Sequence, residues 1–406
     1  MTSSPLVEKA EMYLQKLCID IPSRRVGSKG NRAATGFFAD TVESFGFQVD
    51  TPTFRCMDWA EEGAQLTADT ASFDALVSPY SLGCHVRAPL TAISTVDELE
   101  RADVAGEILL LHGDIASEPF MPKNFPFYNP AEHRKIIALL EKKQPEAIVA
   151  ATSRNPEMAG AVYPFPLFED GDFDIPSVYM TQEEGERLVN HAGERVRLEI
   201  RAHRRPAEGV NVIARKGRNP QRRVVVFAHI DAKDGTPGAV DNATGTIVLL
   251  LLAEELTDYQ GELGLEIVAL NGEDYYSSPG QQLYLSRNEG KFEEIVFGIN
   301  LDGVGYHQGK TAYSLYNYPP TLTDVVEETF SSYEGLIEGE PWYQGDHSIL
   351  LMNGVSALAM TSEHVHALLN DIVHTPKDRP EIVDAEKLVH IASALRELLL
   401  KINAKI

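Results

Sequence analysis

The chain has 406 residues and a formal net charge of −24. That balance argues against a nucleic-acid or anionic-membrane partner, and the longest apolar run, Ile247 to Ala253, is far too short to span a bilayer. With 43% hydrophobic and 24% charged residues, it has an ordinary globular composition and enough length for two or three domains.

The N-terminus shows no basic stretch followed by an apolar one, so no secretory signal is read, although a chain whose signal had been removed would look the same. Cys18, Cys56 and Cys84 are odd in number and lack zinc-site spacing. A reduced thiol set and a cytoplasmic location are therefore expected.

Residues 5 to 49 read as helix, loop, helix. Leu6, Ala10, Tyr13, Leu14 and Leu17 keep helical spacing, residues 21–28 break it, and Ala34, Phe37, Phe38, Val42 and Phe45 resume it. Phe47 begins a strand. From about 51 to 205 the character changes to short strands, such as 106–111 and 147–150, with a helix over 130–143 between them. Another helix starts at Thr181, with Glu184 placed for a capping box. This block reads as an inserted accessory domain.

From about 206 onward, strands alternate with helices, the pattern of a mostly parallel sheet covered on both faces. Strands are predicted at 210–215, 224–229, 264–270, 295–301 and 355–361. Helices are predicted at 244–257, 279–289, 321–333 and 385–402. The expected class is thus α/β, a mostly parallel central sheet flanked by helices, built from 1–50 and 206–406, with a smaller, mainly-β domain inserted over 51–205.

Polar residues recur where the strands end. His229 ends one, Asp241 follows a Gly/Pro-rich loop and precedes a helix, Glu273-Asp274 follows a third element, and Asp302 ends a fourth. His374 lies in a turn near the last helix. Open α/β sheets present ligands beyond the carboxyl ends of their strands, so the first four gather on one edge, and a late loop can return His374 to it. Any one of these acids alone is more often a cap or a turn residue. Together, two imidazoles and three carboxylates suit two divalent ions, zinc first, with cobalt or manganese as alternatives.

Two cations roughly 3.5–4 Å apart need a bridging carboxylate, and Asp241 is the candidate. One ion would take His229 and Asp302, the other Asp274 and His374. Asp231 would orient the His229 imidazole through its other nitrogen. Glu273, adjacent to a ligand but not itself one, is the candidate general base.

The segments HID, PGAVDNATG, NGEDYYSSPG, INLDGVG, QGDHSILLMNGV and HTPKD resemble, in order and spacing, the M28 family of co-catalytic zinc metallopeptidases. The opening IPSRRVGSKGNRAATGFFADTVESFGF is similar to that family's N-terminal segment. GEILLLHGD and FDIPSVYMTQEEGERLV are more weakly similar to the protease-associated (PA) domain often inserted in such enzymes. The resemblance implies His229, Asp241, Asp274, Asp302 and His374 as metal ligands, Glu273 as base, and a cis peptide at Asp241-Asn242. The chain departs from the family at Glu273-Asp274, where Glu-Glu is usual, which bears on metal preference.

Asp346-His347 matches a family motif near the substrate pocket. Tyr343 either donates to a developing oxyanion or, with Trp342, walls the pocket. His364 and His366 are candidate substrate contacts, and Glu363 a candidate acceptor for a substrate ammonium.

The function expected from these readings is an aminopeptidase, a metal-dependent hydrolase acting on the free N-terminus of a peptide substrate. Three alternatives stand beside it. A carboxypeptidase or dipeptidase would need basic residues near the site, where the chain offers few (Lys233, Arg287, Lys377, Arg379). A glutaminyl cyclase would not need all five ligands. A non-catalytic receptor-like protein would show lost ligands. The sequence leaves side-chain preference and oligomeric state open.

Overall fold

The computed structural model describes residues 4–21, 23–154 and 162–405. The chain divides into two units, 1–56 with 208–406, and 57–207.

The first unit is built on an eight-stranded mixed sheet. Its strand order is Gln48–Asp50, Val212–Lys216, Leu263–Leu270, Asn219–His229, Ile295–Leu301, Ala357–Ser362, Thr311–Tyr316, Leu336–Glu338. The four central strands, from Leu263–Leu270 through Ala357–Ser362, run parallel. Antiparallel pairings attach Val212–Lys216 on one side and Thr311–Tyr316 on the other. The fold is therefore α/β with a parallel centre, and the sheet turns antiparallel toward its edges.

The sequence explains that centre. Val224 to Ala228 and the whole of Leu263–Leu270 are buried on both faces. Such strands, apolar almost throughout (Glu266 is the exception, paired with Arg215), belong between two helical layers rather than at a solvated face. The helix Thr244–Glu255 is apolar all round and buried from Thr244 to Ala253, as a fully interior helix must be. It shares one core with the helix Ala385–Lys405 and with the N-terminal helices Pro5–Gln15 and Lys29–Ser44. Gly245 permits its close approach to the sheet, since a Cβ there would lie 2.7 Å from the Leu301 carbonyl oxygen.

The predicted strands and helices of this unit occur within a few residues of their expected bounds, and two further strands occur. Thr311–Tyr316 and Leu336–Glu338 fall where no element was expected. Both lie toward one edge of the sheet, where short strands lack the long apolar run that marks the centre.

The second unit carries another eight-stranded sheet, in the order Ala71–Phe73, Thr53–Ala68, Arg195–Val210, Cys84–Ile93, Ile108–Leu111, Ala147–Thr152, Ser177–Thr181, Leu76–Val77. The helix Ala131–Lys143 packs into its core through Ile136, Ile137 and Leu140. Thr181 caps the helix Gln182–Val189 by accepting from the Glu184 backbone N–H at 3.2 Å. The Glu184 carboxylate does not complete the expected box. It accepts instead from the Asp74 backbone N–H at 3.1 Å and pairs with Arg187. A complete capping box forms at Thr95 and Glu98. Among the described residues, no helix is long and apolar enough to cross a membrane.

Candidate metal centre

The parallel strands end on one edge, and the loops beyond them bring the predicted residues together. His229 is the last residue of its strand and 1% exposed. Gly238, at φ +59°, turns the chain into the short segment Ala239–Ala243, in which the Asp241–Asn242 peptide is cis. The Asp241 carboxylate then lies between two imidazoles. Its Oδ1 is 3.1 Å from His229 Nε2, and its Oδ2 is 3.0 Å from His374 Nε2.

His374 Nε2 is also 2.9 Å from Asp274 Oδ1, and His229 Nε2 is 3.8 Å from Asp302 Oδ1. Thus Asp302 falls on the His229 side of Asp241 and Asp274 on the His374 side. His374 occupies the left-handed region at φ +62°, where histidine is several-fold enriched among non-glycine residues.

Two residues hold these loops by their backbones. The Asp231 carboxylate accepts N–H groups from the next loop, at 2.6 Å from Gly272, 3.3 Å from Glu273 and 3.0 Å from Asp274. The expected contact of Asp231 with the second imidazole nitrogen is made by its backbone carbonyl. His229 Nδ1 lies 3.2 Å from the Asp231 carbonyl oxygen and 3.8 Å from its carboxylate, so the backbone does the orienting. The Asp378 carboxylate accepts the N–H groups of Val240 at 2.7 Å and Asp241 at 3.0 Å. Its only sequence signal was its place in HTPKD, and no role was read from it.

The electrostatics call for cations. Burial raises the carboxyl pKa values of Asp231, Asp302 and, well above its usual range, Glu273. It also lifts Asp346 to about 7 and Asp378 to about 6. Burial disfavours ionisation of Asp241 too, but the His229 and His374 rings outweigh it and bring its pKa down. At both histidines, burial opposes the charged ring, yet the surrounding carboxylates raise the pKa well above 6.5.

With Nδ1–H donating to a carbonyl, a neutral His229 turns the lone pair of Nε2 toward carboxylate oxygens. Nε2 makes no aligned hydrogen bond there, and the buried Asp274 Oδ2 has none either. A buried cluster of this kind needs positive charge, which the two rings supply when protonated and divalent ions would supply when the rings are neutral. One donor atom each from His229, Asp241 and Asp274 lies within 4.8 Å of the others. The donor set fits divalent metal ions of the zinc type.

Residues 211–399 match the sequence profile described as "Peptidase family M28". The chain carries a peptidase family M28 domain.

Over 245 residues the chain is 27% identical to the protein named probable lipoprotein aminopeptidase LpqL of Mycobacterium tuberculosis, a match covering 58% of this chain and 45% of that one. The chain spans about half the length of the curated relatives it matches, 45% and 50%. Across 99% of this chain and 96% of the other, the fold is similar to BSAP, described as a zinc aminopeptidase from Bacillus subtilis, with a TM-score of 0.74 and 17% identity. Across 98% of this chain and 100% of the other, it is also similar to a glutaminyl cyclase of Porphyromonas gingivalis, with a TM-score of 0.54 and 16% identity. Likeness at these identities shows the fold.

On the M28 domain's remaining predicted positions, the Asp346 carboxylate accepts from the Gln281 amide, and Asp346 and His347 are both buried. His347 Nε2 is 2.8 Å from the Trp342 carbonyl oxygen, and its ring packs edge-on to Trp342. Tyr343 is 70% exposed and edge-on to Tyr316. The Glu363 carboxylate accepts the Lys310 backbone N–H at 2.8 Å.

Proposed function

We propose that the M28 domain is a co-catalytic metallo-exopeptidase that removes the N-terminal residue of peptides. The observation that carries this reading is the Asp241 carboxylate, with one oxygen toward His229 and the other toward His374. A bridging carboxylate flanked by matching imidazole–carboxylate pairs is the donor arrangement two ions need. His229, Asp302 and Asp241 would hold one ion; His374, Asp274 and Asp241 the other. The similarity to BSAP, described as a zinc aminopeptidase, makes zinc the first ion to test. When bound, such a pair lowers the pKa of a shared water and polarises the scissile carbonyl.

The chain's residues divide the remaining work. Glu273, its pKa raised by burial, takes the proton of the attacking water on its carboxylate and returns it to the leaving amine. Asp231 fixes Glu273 and Asp274 through their backbone N–H groups, so base and ligand keep one spacing. Tyr343 is kept as a donor to the oxyanion or as a wall of the substrate pocket. Residues 57–207 are assigned as a PA-like accessory unit. A cytoplasmic setting is kept as part of this reading.

All five donors converge, which a single-zinc cyclase would not require and a silent receptor would not keep. The deciding experiment measures cleavage of aminoacyl-amide, N-blocked and C-terminal substrates before and after metal stripping. Cleavage restricted to free N-termini, lost with the metal and restored by zinc, is expected. Equal cleavage of N-blocked substrates, or indifference to a chelator, would refute the proposal.

A further inference from the structure

The chemistry proposed above gives no part to the opening segment of the chain, yet that segment contains Arg24, a guanidinium only 2% exposed. A buried charge is costly unless its donors are satisfied, and here backbone carbonyls satisfy them. Nε donates to Ile230 O at 2.9 Å, Nη1 to Leu17 O at 2.7 Å and Pro237 O at 2.9 Å, and Nη2 to Gly238 O at 2.7 Å. Ile230 directly follows His229. Pro237 and Gly238 belong to the loop that delivers Asp241. One rigid, planar fork therefore ties the backbone beside one candidate ligand to the backbone leading to the bridging one.

The fit is close. Gly238 sits at φ +59°, and a Cβ there would lie 2.9 Å from Arg24 Nη2 and 2.6 Å from the Asp241 carbonyl oxygen. From the far side, Asp378 accepts the N–H groups of Val240 and Asp241, so the loop is held by its carbonyls at one end and its amides at the other. Arg24 is itself anchored. Its carbonyl oxygen accepts from Asn31 Nδ2 at 2.9 Å, and Asn31 exchanges amide hydrogen bonds of 2.8 and 3.0 Å with Asn271, two residues before Glu273.

We propose that Arg24 is a positioning residue for the metal centre, setting the spacing between His229 and Asp241 through the carbonyls of Ile230, Pro237 and Gly238. The inference rests on the metal-centre reading above. Its prediction is a loss of ion affinity without loss of the fold, because groups that orient metal ligands typically contribute about 10–100-fold to affinity.

The test titrates zinc calorimetrically into metal-stripped wild type, Arg24→Gln, Arg24→Lys and Arg223→Gln, with folding followed by circular dichroism and thermal melting. Arg24→Lys keeps the charge but not the planar fork. Arg223 is the control, 5% exposed on the strand that ends in His229, where its guanidinium bonds Glu294 and Asn288 at 2.6 Å. Expected is a tenfold or greater loss of affinity in whichever Arg24 variants fold, with Arg223→Gln within threefold of wild type. A loss under threefold in the folded Arg24 variants, an equal loss in Arg223→Gln, or failure of both Arg24 variants to fold would overturn the proposal. Wild type that binds no zinc would instead refute the metal-centre reading.

Discussion

The carboxylate of Asp378, four residues after His374, accepts the backbone N–H of Asp241 at 3.0 Å. One short segment thus supplies a candidate ligand side chain and an acceptor that fixes the backbone of the bridging carboxylate. In Asp378→Asn, the side-chain amide would present N–H to one of the two N–H groups now bonded. Leaving one buried donor unmatched costs about 1–3 kcal/mol. The expected outcome is that loss in the denaturation of the metal-free protein, with weaker zinc binding. A variant that binds zinc as wild type does would show that Asp378 serves only the fold.

The centre of the fold and the donor set were legible because each has a local signal. Val224 to Ala228 announces a two-sided buried strand, and His229, Asp241, Asp274 and Asp302 each stand at or just after the end of a strand, or just before a helix. The residues that hold the site were not legible. Arg24 reaches carbonyls 206, 213 and 214 residues away, and Asp378 reaches amides 138 and 137 residues away. Any residue supplies those backbone groups, so no pattern of side chains encodes the partner. For the same reason, the bonds of the Asp231 carboxylate to three backbone amides of the following loop left no mark in the sequence.

Glu273→Gln separates base from ligand. Gln keeps the size of the side chain but cannot accept the proton. The expected result is a kcat lowered by about 10²–10⁴, with KM and zinc stoichiometry near wild type. Loss of a bound ion in this variant would make Glu273 a ligand, and unchanged kcat would remove it from the reaction.

The two-ion reading makes unequal predictions for neighbouring carboxylates. Asp274 lies on the His374 side only, whereas Asp241 faces both imidazoles. Elemental analysis after dialysis against limiting zinc should find two ions per chain in wild type, one in Asp274→Asn and none in Asp241→Asn. Two ions retained in Asp274→Asn would contradict the division of ligands.

His347 makes the stability of the protein sensitive to acid. Burial holds its pKa down to about 4, against 6.5 for a free imidazole, with the Trp342 carbonyl only partly offsetting it. The neutral ring is satisfied, since Nε2–H donates to that carbonyl at 2.8 Å and Nδ1 accepts from Asn300 Nδ2 at 3.3 Å. The unfolded chain takes up a proton below pH 6.5, whereas the folded chain resists until about pH 4, so protonation favours unfolding throughout that window. The contribution is complete above pH 6.5 and declines by about 3 kcal/mol as the pH falls to 4. Chemical denaturation across this range should therefore show wild type losing stability relative to His347→Gln as the pH falls. Parallel stability curves would show that burial does not lower the His347 pKa in the folded protein.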